Sequence, residues 1–253
     1  MRHLIKHGIS GVLLAAAGAF LLIRPGFGFK EAAPQPPPDS ATATPTTPVR
    51  PNHTGGKLAG VDVSHFQRTV DWPTLVAGGI SFAFAKATDG ITYTDPKWQT
   101  NRTASTKAGI AFGGYHFYEP QDEPAPQVAN FLAALGDVQN MLPPVIDLER
   151  SPAAGDEAEY LRDVQAFLSK IENSTGCTPI IYASPSFYTQ YLGTSLGQYP
   201  LWLAEYSHTA KPPQGKDWFF WQHSQNGTVD GISGSVDLDW FAGGADALAS
   251  LQC

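Results

Sequence analysis

The sequence predicts an α/β fold, an irregular eight-stranded barrel whose helices stop before its last strands. From residue 58 onwards, near-continuous apolar runs alternate with helical patterns, which indicates a parallel sheet covered by helices. After residue 200, the connections between apolar runs become too short for helices. Acidic and aromatic residues recur near the ends of the runs, where barrels of parallel strands carry their functional groups.

Five strand–helix units account for the first two thirds of the predicted barrel. Their strands are Leu58–Ser64, Ile80–Ala87, Ile110–Tyr118, Pro144–Glu149 and Pro179–Ser184. The helices that follow them are Asp71–Ala77, Lys97–Ala108, Ala125–Asp137, Asp156–Asn173 and Pro185–Leu192. Three strands without helices, Leu201–Tyr206, Trp218–His223 and Ser235–Phe241, complete the count of eight. A fully regular barrel with eight helices does not fit this pattern.

The first 30 residues are predicted to direct export and not to join the fold. Arg2 and Lys6 precede an uncharged apolar run, Gly8–Ile23, which Arg24 closes. This run is short for a membrane span, which needs about 20 residues, so a cleaved signal peptide is favoured over a signal anchor. In both cases the rest of the chain is extracytoplasmic, either periplasmic or extracellular. Membrane attachment is expected only through an uncleaved anchor.

Residues 31–57 are predicted to be a disordered linker rich in proline and threonine. Seven prolines in this segment disfavour both helix and sheet, so we expect an extended spacer or an inert terminus. Residues 58–253 have the size of one domain.

Cys177 and Cys253 are the only cysteines, and export to an oxidising compartment favours a disulfide between them. The bridge would tie the last residue of the chain to an interior loop. The loop-entropy model gives about 4–5 kcal/mol of stabilisation for a loop of this length, as an upper limit.

The charge of the chain argues against a nucleic-acid partner. The net charge is −7, and without residues 1–30 it becomes −11, with 12 basic and 23 acidic side chains. Such a surface suits a neutral or cationic partner, or a substrate held by stacking and hydrogen bonds. The sequence lacks zinc-protease, CxxC and Walker motifs, so we expect no metal and no cofactor. We expect a monomer.

The apolar run that starts at Leu142 ends in two carboxylates, Asp147 and Glu149. Strand side chains alternate between faces, so the two acids should point the same way, about 6.5–7 Å apart at Cα. Repulsion should raise the pKa of one of them, which supplies a proton donor beside an anion, as glycosidic cleavage requires. Two acids that cap a helix or face water would have the same spacing.

The other predicted strand ends carry acids and aromatic residues as well. Aromatic rings stack on sugar faces and carboxylates bind hydroxyl groups, so this set predicts a carbohydrate cleft. The candidate substrate-binding residues are Tyr115, Phe117, Tyr182, Trp202, Glu205, Tyr206 and Gln222.

Five segments together resemble glycoside hydrolase family 25, the Chalaropsis-type lysozymes, which are N-acetylmuramidases. The segments are GVDVSHFQ at 60–67, DLE at 147–149, LWLAEY at 201–206, WQ at 221–222 and VDLDWF at 236–241. They occur in the family's order over about residues 58–241. The resemblance implies a TIM-like (β/α)5(β)3 barrel that hydrolyses the β-1,4 bond between N-acetylmuramic acid and N-acetylglucosamine in the glycan strands of peptidoglycan.

The resemblance also implies roles for four acids. Glu149 matches the general acid, Asp147 its partner carboxylate, and Asp62 and Asp237 the other two acids of the cleft. Asp239 departs from the pattern, since the family often has Asn there, and an extra carboxylate is expected to make the cleft more anionic. Retention is implied, either through the substrate's 2-acetamido group or through attack by a carboxylate.

Two other functions remain open at this point. A non-catalytic wall-binding protein on a degenerate barrel would be expected to lose an acid while it keeps its aromatic residues. An N-acetylglucosaminidase or chitinase would keep the barrel and the acids and cleave a different bond.

Overall fold

Eight strands close into a barrel in the computed structural model, which describes residues 56–253. The predicted signal segment and the predicted linker up to residue 55 lie outside the described residues. The barrel strands are β1 (Lys57–Val63), β2 (Ile80–Asp89), β4 (Ala111–Phe117), β5 (Val145–Asp147), β6 (Ile180–Ala183), β7 (Leu201–Ala204), β8 (Phe220–Gly227) and β9 (Val236–Ala242). A two-residue strand, β3 (Tyr93–Thr94), pairs with the end of β2 beside the ring. The predicted α/β class and the count of eight barrel strands are confirmed.

The direction of the last strand differs from that of the others. Strands β1, β2 and β4–β8 run parallel around the ring, whereas β9 is antiparallel to both β8 and β1. The first residues of β9 therefore lie at the barrel end where the other strands finish, and Asp237 pairs with Asp62. The expectation that the acids lie at the carboxyl ends of the strands is wrong for Asp237, which lies at the start of β9. The short β8–β9 connection reverses the chain.

Helices flank the first five barrel strands. They are α1 (Trp72–Ala77), α2 (Trp98–Ala108), α3 (Pro124–Leu135), α4 (Glu157–Thr175) and α5 (Pro185–Phe187). The predicted helix over 185–192 is α-helical only in its first turn, which Ser184 caps by accepting a bond from Phe187 N, and it continues as a π-helical turn over Tyr188–Leu192. A short helix that the sequence analysis missed, α6 (Ala245–Ala249), follows β9.

An aromatic plug fills the barrel below the end where the parallel strands finish. Phe84 stacks on Trp202 with ring centroids 4.7 Å apart, and Phe82 packs edge-on against Phe220 at 5.1 Å. Glycine makes room for these rings, since a Cβ at Gly60 would lie 2.3 Å from the Phe82 ring. A second buried cluster lies between the barrel wall and the helices. The plug gives the barrel end a dry, rigid floor.

A disulfide joins Cys177, which follows α4, to Cys253, with Cα atoms 5.6 Å apart. The predicted pairing is confirmed. The last residue is also held by a backbone bond from Cys253 N to Met141 O of 2.8 Å. Cys253 is thus fixed at two points.

Replacing both cysteines with serine is expected to lower the melting temperature by on the order of 10 °C, because the bridge restricts the unfolded chain. Calorimetry under non-reducing conditions measures the shift. Wild-type protein treated with a reductant should match the double variant, and an unchanged melting temperature in both would contradict the prediction.

Candidate active site

A cleft with a cavity volume of about 240 Å³ opens at the barrel end where the parallel strands finish. All four acids predicted as catalytic line it: Asp62, Asp147, Glu149 and Asp237. Five of the predicted substrate-binding residues line it as well: Tyr115, Phe117, Tyr182, Trp202 and Gln222. Residues that are far apart in the chain thus meet in one site.

Two predicted binding residues stand apart from the cleft lining. Glu205 is fixed through its backbone, since its N–H donates to Gln222 O (3.1 Å) and its carbonyl accepts from Trp221 Nε1 (2.7 Å). Tyr206 is half exposed, and its hydroxyl donates to Gln222 Oε1 at 2.7 Å. Tyr206 therefore supports a cleft residue from the rim.

Strand register brings Asp147 between two aromatic residues. It is the last residue of β5 and pairs with Phe117 on β4 and with Tyr182 on β6. The strand is shorter than predicted and ends before Glu149, although Leu148 N still bonds to Tyr182 O (3.0 Å). Both acids nevertheless face the cleft, as the alternation argument required.

The two neighbouring acids have different surroundings. Asp147 is buried, and its Oδ1 has no hydrogen-bond partner among the described residues. Burial raises the pKa of Asp147 well above its ordinary value, and the nearby charge of Glu149 raises it further. Glu149 is exposed to solvent. The pair thus combines a carboxyl shielded from water with one that is open to solvent.

Asp62 belongs to a hydrogen-bonded group on the cleft floor. Its Oδ2 accepts a bond from Gln222 Nε2 at 2.7 Å. Gln222 Oε1 in turn accepts from Tyr182 (2.9 Å) and Tyr206 (2.7 Å). Burial raises the pKa of Asp62 most, followed by the charges of Asp239 and Asp237, while the Gln222 bond lowers it.

Asp239 lies beneath the cleft and not on its surface. It is only 1% exposed and is absent from the cleft lining, so the extra carboxylate acts from below the cleft surface, where its charge raises the pKa of Asp62. Because side chains two residues apart in a strand share a face, Asp239 points into the barrel one step below Asp237. Its Oδ1 accepts a bond from Trp202 Nε1 at 2.8 Å. Burial raises the pKa of Asp239, and the Trp202 bond lowers it.

Several cleft residues were missed by the sequence analysis: Val63, Ser64, Phe66, Gln67 and Lys86. Phe66 is 76% exposed, and it lies in a 3₁₀ turn, His65–Gln67, that Ser64 and Gln67 cap reciprocally. An aromatic residue directly after the first strand was the available signal for Phe66. Lys86 Nζ lies 4.6 Å from the Phe117 ring centre and 2.6 Å from Asp89 Oδ2. No comparable sequence signal singled out Lys86.

Among residues 56–253, no three His, Cys, Asp or Glu side chains are grouped so that they could hold a metal ion. Every helix in the same range is too short or too polar to span a bilayer.

Comparison with known proteins identifies the family. The sequence model for glycosyl hydrolases family 25 matches residues 61–232. The chain belongs to glycosyl hydrolase family 25. The resemblance seen in the sequence is thereby confirmed, and so is the enzyme class, a glycoside hydrolase.

Characterised and uncharacterised relatives both occur. This family 25 chain is 33% identical over 217 residues to Lysozyme M1 of Streptomyces globisporus, covering 80% of this chain and 74% of that protein. It is 30% identical over 202 residues to the N,O-diacetylmuramidase of Chalaropsis sp, covering 71% and 96%. The uncharacterized protein YegX of Escherichia coli K12 is 36% identical over 196 residues, covering 76% and 72%.

Solved structures share the fold. The bacterial lysozyme from Streptomyces coelicolor superposes with a TM-score of 0.73 at 31% identity, covering 77% of this chain and 96% of that one. The family GH25 lysozyme from Aspergillus fumigatus gives 0.69 at 29% identity, covering 78% and 99%.

The buried carboxyl of Asp147 should make stability depend on pH. Its pKa is raised on folding, so the folded state binds the proton more tightly and wild type loses stability as pH rises from about the unfolded value of 3.8 through the raised pKa. Asp147→Asn lacks this loss. Its advantage over wild type should be near zero in acid, grow with pH, and reach about 1.4 kcal/mol for each unit of the shift.

Denaturant titration of both proteins across pH measures this difference. Titrations common to both cancel, including that of His116, whose pKa burial lowers to about 4 and which acts with the opposite sign. If the difference in unfolding free energy between the two proteins does not change with pH, ionisation of Asp147 does not destabilise the folded state.

Proposed function

We propose that this domain is a peptidoglycan muramidase that cleaves the β-1,4 bond between N-acetylmuramic acid and N-acetylglucosamine. The observation that carries the proposal is the pairing of a buried Asp147, one oxygen of which lacks a donor, with an exposed Glu149 in the same cleft of a family 25 chain. Relatives named lysozyme and N,O-diacetylmuramidase support the same substrate class.

Glu149 is proposed as the general acid. Its exposure lets it take a proton from water, and its position beyond the end of β5 lets it reach a glycosidic oxygen above the floor. It would donate this proton to the leaving sugar as the bond to C1 breaks. As a carboxylate it would then remove a proton from the incoming water.

Asp147 is proposed as the residue that orients the substrate's 2-acetamido group. Its unpartnered Oδ1 can accept the amide N–H, which directs the acetamido oxygen at C1 from the face opposite the leaving group. Attack by that oxygen forms an oxazolinium ion. Its positive charge and the bound amide N–H both favour the carboxylate form of Asp147, which offsets the raised pKa and stabilises the ion. Water then opens the ring at C1, with net retention of configuration.

Asp62 and Asp237 are proposed to complete the acidic lining and to hold sugar hydroxyls. Tyr115, Phe117 and the exposed ring of Phe66 offer apolar surfaces on which sugar rings can stack. The site of action is proposed to lie outside the cytoplasm, where peptidoglycan is found and where the Cys177–Cys253 bridge is stable.

Digestion of purified peptidoglycan should release fragments with N-acetylmuramic acid at the reducing end. Borohydride reduction followed by mass analysis identifies that sugar. Fragments with N-acetylglucosamine at the reducing end would show that the enzyme is a glucosaminidase and not a muramidase. Folded protein that releases no fragment from several wall types would favour a binding protein.

Glu149→Gln should lower the turnover number by about 10²–10⁴-fold, because the proton donor is lost while the shape is kept. Glu159→Gln, an exposed change on α4, is the matched control and should leave activity unchanged. Loss of the Glu149 charge should also lower the pKa of Asp147, which carboxyl carbon NMR can follow. Full activity in Glu149→Gln would remove the assigned role.

A thiazoline analogue of the oxazolinium ion tests whether the 2-acetamido group or a carboxylate attacks C1. Competitive inhibition is expected if the acetamido group attacks. Trapping of an aspartyl glycosyl-enzyme would instead show direct attack by a carboxylate.

A further inference from the structure

A chain of hydrogen bonds runs under the cleft floor. Its donors are the hydroxyls of Tyr182 and Tyr206, the amide of Gln222 and the indole N–H of Trp202. Tyr182 and Tyr206 both donate to Gln222 Oε1, which fixes the orientation of the Gln222 amide. Gln222 Nε2 therefore points to Asp62 and donates to its Oδ2. From the other side, Trp202 Nε1 donates to Asp239 Oδ1. The carboxyls of Asp62 and Asp239 lie between the two ends: Asp62 pairs with Asp237 across β1 and β9, and Asp239, two residues further along β9, shares the same face.

No hydrogen is available for a bond between Asp62 and Asp239 unless one of the two carboxyls is protonated. Asp239 Oδ2 is buried and accepts from no fixed donor among residues 56–253. An ionised Asp62 has only acceptor atoms to present to it. A hydrogen bond between the two carboxyls can form only when one of them is protonated.

The surrounding charges also favour a bound proton. Asp239 faces the carboxyls of Asp237 on its own strand and Asp62 on β1. Asp62 also feels the charge of Asp147 on β5. The neighbouring strands β7 and β8 contribute the neutral side chains of Trp202 and Gln222. Tyr115 on β4 faces Asp62 as a neutral phenol. The charges that act on Asp62 and Asp239 are those of carboxyls, so ionisation of both would place two buried anions side by side.

We propose that Asp239 is a positioning residue that shares one proton with Asp62 in the active enzyme. This inference rests on the proposed function, for which Asp62 lines the site. The shared proton joins the Trp202–Asp239 bond to the Gln222–Asp62 bond in one hydrogen-bonded chain, and this chain fixes the position of the Asp62 carboxyl beneath the substrate. Loss of that proton breaks the link, since two anions then face each other across the floor. This loss adds to deprotonation of the general acid in ending activity at alkaline pH.

Asp239→Asn tests the proton directly. The amide oxygen can still accept from Trp202, and the amide N–H₂ supplies to Asp62 a hydrogen that cannot dissociate. The variant should keep its activity at the optimum, and the alkaline limb of its pH profile on peptidoglycan should fall less steeply than that of wild type, because one of two ionisations is removed. Asp246→Asn is the matched control, because it removes the same charge from an exposed position on α6, at the opposite end of the barrel. The pH profile of its activity should coincide with that of wild type.

Two results of the activity measurements would overturn the proposal. One is an Asp239→Asn profile that coincides with that of wild type. The other is a loss of activity at every pH, which would show that the Asp239 charge itself is needed. Asp239→Leu removes both hydrogen bonds and should lose about tenfold or more in turnover. Asn can form both hydrogen bonds and Leu can form neither. Full turnover in Asp239→Asn, beside the loss in Asp239→Leu, would therefore show that the hydrogen bonds of residue 239 matter and not only its packing.

Carboxyl carbon NMR of the wild-type protein gives a readout that does not depend on activity. One carboxyl of the Asp62–Asp239 pair should remain protonated at neutral pH, and that signal should be absent in Asp239→Asn. Finding both carboxyls ionised would overturn the inference even in an active muramidase. Finding the proton in a protein that releases no peptidoglycan fragments would instead remove the proposed function and leave the pair established.

Discussion

Closure of the barrel at β1 is the constraint on which the cleft depends. β1 pairs in parallel with β2 and antiparallel with β9, so the first and last strands of the domain meet. This closure sets Asp62 opposite Asp237 and places Asp239 below them, although about 175 residues of chain separate these acids. The reversed direction of β9 is essential, because a parallel last strand would carry both aspartates to the far end of the barrel.

The closed barrel also accounts for the electrostatics of the site. The aromatic plug of Phe82, Phe84 and Phe220 excludes water from the floor, so a carboxylate there is poorly solvated. Burial is accordingly the largest cause of the raised pKa of Asp62, Asp147 and Asp239. The acids lower the stability of the folded state when they are ionised. A family 25 hydrolase that folds around them must offset that cost through the packing beneath.

Much of the fold could be predicted from the sequence because its signals are local. Apolar runs and helical patterns marked all eight barrel strands and the five helices between them. The limits of the elements were less certain, as at β5, which ends at Asp147 because only three residues pair on both sides. Short elements such as β3 and α6 were missed, since two to five residues carry little periodic signal.

By itself, the sequence determined the family, the barrel class, the cysteine pair and the acids and aromatic residues that gather at the strand ends, because these depend on residue type, order and spacing. Tertiary structure decided which of those residues share a surface. Register and strand direction put Asp237 at the cleft and Asp239 beneath it, turned Tyr206 into a support for Gln222, and brought Phe66 and Lys86 into the lining. Those outcomes depend on contacts between distant segments, which no local pattern encodes.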